Sequence, residues 1–172
     1  MIYTVECSFA DAVSEAEWND FYSFNKLPAL ISVSGFHTSQ RFRAVSRGCP
    51  VYLALHSIDG IEVLTSAEYR DKGGGNFARW QQHICDWHRN LYDGLTTAPA
   101  VGDDDYLLMT ALDPDRLIEL GAVPSAMRAV DLEKNPEHRW LATLSRDRVP
   151  ALGDLPDGVY LYAPMTAQLT SS

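Results

Sequence analysis

Residues 51–58 read VYLALHSI, and residues 139–146 read RWLATLSR. The first is rich in β-branched, aromatic and aliphatic residues and reads as a strand. Tyr52 aligns with Trp140, and Leu53-Ala54 with Leu141-Ala142. Each stretch follows a turn that contains proline, at Pro50 and Pro136. Further out, LYDGLTTAP (91–99) parallels LPDGVYLYAP (155–164). Together these matches describe an internal repeat, and a repeat governs the fold reading of everything around it.

The elements on either side take the same order. In the first half, residues 2–9 read as a strand. Ser14 and Glu17 form a capping box, S-x-x-E, that starts a helix. Trp18, Phe21 and Tyr22 face inward from it, and Pro28 marks its end. Residues 35–47 and 51–58 are strands, and a short helix covers 61–69. Gly73 to Gly75 break the chain. Phe77, Trp80, Ile84, Trp87 and Leu91 recur at steps of three and four and predict a helix. A short strand follows at 95–98. Residues 98–105, with Pro99, Gly102 and three aspartates, read as a linker.

In the second half, residues 106–112 predict a strand. Asp113-Pro114 opens a helix that stops at Gly121. Strands at 126–132 and 139–144, a short helix at 146–152 and a strand at 158–163 complete it. The expected fold is α+β: two tandem ferredoxin-like βαββαβ repeats, 1–98 and a shorter 99–172, forming one α/β barrel with antiparallel sheets. The 172 residues, 46% hydrophobic and 22% charged, suffice for one cooperative core. Neither motif alone covers both faces of its sheet. A second copy could still dimerise with the barrel.

The formal charge is −9, from 14 Lys+Arg against 23 Asp+Glu. Without a basic patch, neither nucleic acid nor an anionic membrane is an expected partner. Cys7, Cys49 and Cys85 are odd in number and widely spaced, as in a reducing compartment. The opening MIYTVECSF lacks the basic and apolar regions of a secretion signal. A cytoplasmic location is expected.

The stretch from Trp18 to Ile58 resembles the dimeric α/β-barrel superfamily, in particular its EthD-like and muconolactone-isomerase-like branches. The residues that carry this are W-N-D-F-Y (18–22), L-P-A-L (27–30), S-G-F (34–36), R-F-R (41–43) and P-V-Y-L-A-L (50–55), followed by LTSAEYR (64–70). The resemblance covers the first half directly and the second only through the repeat. It implies a cofactor-independent enzyme that acts on a small hydrophobic metabolite, aromatic or polyketide-like, by proton transfer: an isomerase, cyclase or dehydratase. A cofactor-free monooxygenase and a non-catalytic small-ligand binder are the alternatives. Many such families carry Glu-His directly before Leu-Pro, where this chain has Asn25 and Lys26. Either the chemistry has moved or the chain is not an enzyme.

Candidate residues follow from strand alternation. Tyr52, Ala54 and His56 share one face of 51–58, and Val51, Leu53 and Leu55 the other. The aliphatic set is expected beneath helices and the Tyr/His set in a cavity. His56 is then the candidate acid/base. Arg41 and Arg43 share a face with His37 and Ser39 and are candidates to stabilise a developing anion. Tyr3 and Glu6 point to opposite faces, and Tyr3 is the preferred hydrogen-bond donor. Tyr52, His37, Trp80 and Lys26 are candidate substrate contacts. On the expected helix, of His83, Cys85 and His88 only the last two share a face, so no metal is expected. The triple glycine lacks the GK[ST] ending of a phosphate loop, and no GxSxG, HExxH or GxGxxG occurs.

Overall fold

Every position from Tyr52 to Ile58 is buried, so both faces of this strand are covered. The topology explains why. The computed structural model describes residues 1–172. Its first half runs β1 (Ile2–Phe9), α1 (Glu15–Phe21), α2 (Leu27–Ile31), β2 (Phe36–Ala44), β3 (Tyr52–Ile58), α3 (Ile61–Leu64), α4 (Ala67–Asp71) and β4 (Ile84–Asp93). The second runs β5 (Asp105–Thr110), α5 (Asp115–Ile118), β6 (Ser125–Leu132), β7 (His138–Ser145) and β8 (Val159–Pro164), followed by the short β9 (Leu169–Thr170).

The first half pairs in the order β4-β1-β3-β2 and the second in the order β8-β5-β7-β6. Fourth, first, third, second is the same order twice, so the repeat is present in the hydrogen bonding. β4 pairs with β6, and β8 with β2, closing eight antiparallel strands into a barrel. β9 adds to β2. No helix is long and apolar enough to cross a membrane.

Three apolar clusters follow. Ile2, Phe42, Leu53, Leu55, Leu107, Met109 and Leu141 fill the barrel interior. Tyr3, Trp18, Tyr22, Leu27, Tyr52, Ala54 and Phe77 pack between the first-half sheet and its helices. Leu108, Leu117, Ala142 and Leu161 pack with α5 on the outer face of the second half. This reverses the expected faces of β3: Leu53 and Leu55 point into the barrel, while Tyr52, Ala54 and His56 lie on the helix side. An eight-stranded barrel has room for little beyond side chains, and compact aliphatic ones fill it.

The expected helix across Phe77–Leu91 is not formed. Ala78–His83 is a short 3-10 turn, and Ile84–Asp93 is a strand paired with β1. A bulge explains the misleading spacing. Asp86 has φ of 52° and the β1–β4 register shifts between Glu6 and Ser8. Ile84 and Trp87, three apart, therefore pack against the same cluster as Leu91.

Other local expectations shift as well. Ser14 makes no capping bond; its hydroxyl donates to Asp11 at 2.6 Å. Helix continues past Pro28, because Pro28 falls in the first turn of α2, where its missing N–H is tolerated. Residues 61–69 divide into α3 and α4, with Ser66 Oγ capping the latter through the Tyr69 N–H at 3.1 Å. The helix expected at 146–152 reduces to the 3-10 turns Arg146–Arg148 and Leu152–Asp154. No strand forms at 95–98. Instead Ala98 and Val101 join the barrel core, held by Ser57 Oγ, which accepts from Ala98 N, and by Gln40, which bonds both Val101 N and O. The connection between the repeats stoppers one end of the barrel.

Gly94 sits beside the seam where β4 meets β6, with φ of 118°. A Cβ there would clash with the Ala126 carbonyl oxygen. Gly94→Ala is expected to destabilise the protein by more than about 1 kcal/mol. Urea unfolding checks this, and an unchanged midpoint would show that the seam relaxes freely.

Candidate functional site

The layer between the first-half sheet and its helices collects most of the chemistry-bearing residues. His56, on β3, is fully buried. Its Nδ1 lies 2.6 Å from Ser39 Oγ on β2. Its ring stacks on Tyr3 at 5.4 Å and meets the edge of Phe36 at 5.3 Å. Nε2 is buried with no hydrogen-bond partner. Burial, with a smaller contribution from Lys26, pushes the imidazole down to about 3, so the ring is neutral near pH 7. A neutral imidazole anchored at one nitrogen and free at the other can take or return a proton.

Tyr3 continues this group. Its hydroxyl lies 3.3 Å from that of Tyr69 and accepts from Arg89 Nη1 at 3.1 Å. Burial raises the Tyr3 pKa well above its usual value, and Arg89 partly opposes this. Tyr69 and Arg89 were not singled out from the sequence. Arg89 was hidden by the helix expected there. As a strand, Trp87, Arg89 and Leu91 alternate onto one face, which signals a cation beside the core.

Lys26 enters from a π-helical segment, Tyr22–Lys26, between α1 and α2. Pro28 has no N–H to return to the Phe24 carbonyl, so wider bonding suits this turn. The buried ammonium donates to Gly73 O and, at 2.7 Å, to Asn76 O. It lies 4.4 Å from the centre of the Phe77 ring. Burial lowers its pKa to about 8. The triple glycine is thus tethered to Lys26 through Gly73, with Gly74 so close to the Tyr69 ring that a Cβ there would clash.

Arg41 is buried in the same layer, but its donors are committed. Nη1 donates to Asn19 O at 3.2 Å and Ser23 Oγ at 2.9 Å, and Nη2 to Asn19 Oδ1 at 2.9 Å. The guanidinium lies over Tyr22 at 4.0 Å. Arg41 therefore fastens α1 to the sheet. Tyr52 donates to Glu15 and accepts from Asn19 Nδ2 at 2.9 Å. Arg43 is exposed, 3.9 Å from Glu15, on the rim of a shallow cleft with Ala16 and Asp20. His37 is also exposed, 2.6 Å from Asp59, because the bulge between Phe36 and Thr38 turns it outward. Trp80 is buried at the outer edge of the layer against Phe21 at 4.7 Å. The layer thus gathers His56, Tyr3, Tyr52, Lys26, Arg41 and Trp80, and leaves Arg43 and His37 outside.

A second polar group lies inside the barrel. Glu6 alternates with Ile2 and Thr4 on the inner face of β1, while Tyr3 faces the helices. Glu6 Oε1 is 2.5 Å from Arg139 Nη1 on β7, and both side chains are buried. Burial disfavours the Arg139 charge, but Glu6, Tyr162 and Tyr92 together outweigh it and hold the pKa above its usual value. Arg139 was missed because RWLATL reads as an ordinary apolar strand. Its signal is the shared parity with Leu141, which faces the core.

No protein-family model and no curated protein matches the chain. Solved structures do resemble it. An anthrone oxidase-like protein superposes with a TM-score of 0.59 at 11% identity, covering 99% of this chain and 92% of its own. A proposed monooxygenase from Lactobacillus acidophilus NCFM superposes with a TM-score of 0.56 at 10% identity, covering 99% and 96%. At such identities the likeness is one of fold: the antiparallel barrel with few helices.

Proposed function

We propose that this protein acts on a small, largely apolar metabolite, aromatic or polyketide-like, between the first-half sheet and its helices, without a bound cofactor. The observation that carries this is the buried, unpartnered Nε2 of His56 in an otherwise aromatic enclosure. Charge at such a site is costly, so a neutral imidazole takes a proton only as a partner anion forms beside it. Ser39 orients the ring, and Tyr3, polarised by Arg89, is placed to donate to a developing enolate. Arg41 and Tyr52 position α1. The reaction class is isomerisation, cyclisation or dehydration, and the EthD-like or muconolactone-isomerase-like branch is the family we favour.

A second reading, cofactor-free oxygenation of an aromatic ring on the same wall, draws support from the names of the two structural neighbours. Anthrone, an aromatic ketone with an acidic methylene, separates the readings. Proton transfer predicts protein-dependent deuterium exchange at that methylene, followed by NMR. Oxygenation predicts oxygen uptake as well. His56→Ala is expected to slow exchange by about 100-fold or more while anthrone binding persists. Undiminished exchange in that variant removes His56 from its role. Binding with neither reaction makes the protein a carrier.

A further inference from the structure

The Glu6–Arg139 pair has no structural need of its charges. It sits among Leu53, Met109, Met127 and Leu141, where an apolar pair of similar volume would be as stable or more so. Its polar capacity is also incompletely used. The contact is at ion-pair distance, yet Glu6 Oε1 and Arg139 Nη1 lack an aligned hydrogen bond. The neighbouring Tyr162 hydroxyl is buried beside the Cys49 thiol and makes no well-aligned hydrogen bond. These groups lie at the barrel end away from the Ala98–Val101 stopper, and there the interior opens. A cleft of about 240 Å³ is lined by Glu6 and Arg139 at its base and by Cys49, Met109, Thr110 and Tyr160 around them.

We propose that this end of the barrel binds a small uncharged molecule with an N–H donor beside a carbonyl acceptor, of the amide or lactam class. The carboxylate offers only acceptors and the guanidinium only donors. Side by side, they complement an amide edge: the ligand carbonyl accepts from Arg139 and its N–H donates to Glu6. The pair is neutral in sum, so a charged ligand would leave one buried charge uncompensated. The volume lies below the roughly 300–1,000 Å³ of drug-sized sites, so the ligand is small. Met109 and Tyr160 supply the apolar wall for its body.

Benzamide is the probe, with benzoate, benzylammonium and acetophenone as comparators of the same ring size. In NMR titrations that follow the Met109 methyl group, benzamide is expected to bind about tenfold or more tightly than each comparator, the worth of one charge-assisted hydrogen bond. Two variants locate the site. Ala111→Trp narrows the cleft from its exposed rim and leaves both charges in place, and Glu6→Leu/Arg139→Met removes both charges together. Each is expected to weaken benzamide binding at least about tenfold. His56→Ala leaves it unchanged, which separates this site from the helix-side layer. Absence of benzamide binding, equal binding of acetophenone, or full binding by Ala111→Trp would overturn the proposal. The rim variant decides the matter even if the double variant does not fold.

Discussion

Arg139→Met lowers the stability of the folded chain by about 3–5 kcal/mol, read from urea unfolding at pH 7. The loss has little to do with the volume removed, since methionine is flexible and fills such space well. It comes from Glu6, which is left as a carboxylate inside the barrel with no cation beside it. Glu6→Leu/Arg139→Met removes both charges and is expected to recover most of the loss, or to exceed the wild type. A deficit below about 1 kcal/mol in the single variant would show that the adjoining cleft solvates Glu6 well enough without its partner.

Acid weakens the fold through His56. The folded imidazole titrates at about 3 and an unfolded histidine at about 6.5. Between those values the unfolded chain binds a proton that the folded chain does not, so stability falls as the pH falls through this window. The slope is about 1.4 kcal/mol per pH unit, giving a loss of about 3 kcal/mol by pH 4.5. His56→Gln lacks this slope, and the difference between the two curves isolates it from other groups. Asp11, Glu68 and Asp147, whose pKa values are lowered chiefly by side-chain hydrogen bonds, also lose stabilisation in acid, in both proteins alike. His88, raised by its bond to Glu133, acts in the opposite sense. Parallel curves for wild type and His56→Gln would place the imidazole in contact with solvent.

The strand pattern and the repeat were legible because each rests on local signals. Ile2–Phe9 and Val51–Ile58 contain no breaker, and the prolines and glycines that bound them act within a few residues. The inside of the barrel was not legible. Alternation says which residues of β3 share a face, but both faces are buried, so Leu53 and His56 exchange places without any change in the pattern. The bulge at Asp86 defeated the other expectation. One extra residue shifts the parity of a strand, and Ile84, Trp87 and Leu91 then imitate a helix. For the same reason Arg89 was lost to view. Arg139 was hidden differently: its counter-ion lies on a strand 133 positions earlier (139 minus 6), and only closure brings them together. That Tyr52, Ala54 and His56 share a face is legible from alternation alone, but that face lies on the helix side of the sheet and not on the side expected.

Closure within one chain also changes how the molecule can vary. A barrel assembled from two identical subunits has a two-fold axis, and any substitution enters it in duplicate. Here each half varies alone. The first half carries four short helices and a layer of tyrosines, histidine and lysine. Its counterpart carries α5 and a small aliphatic cluster with no comparable polar group. A substitution in the aromatic layer therefore alters one wall of the barrel only, and the two halves of one gene product are free to diverge.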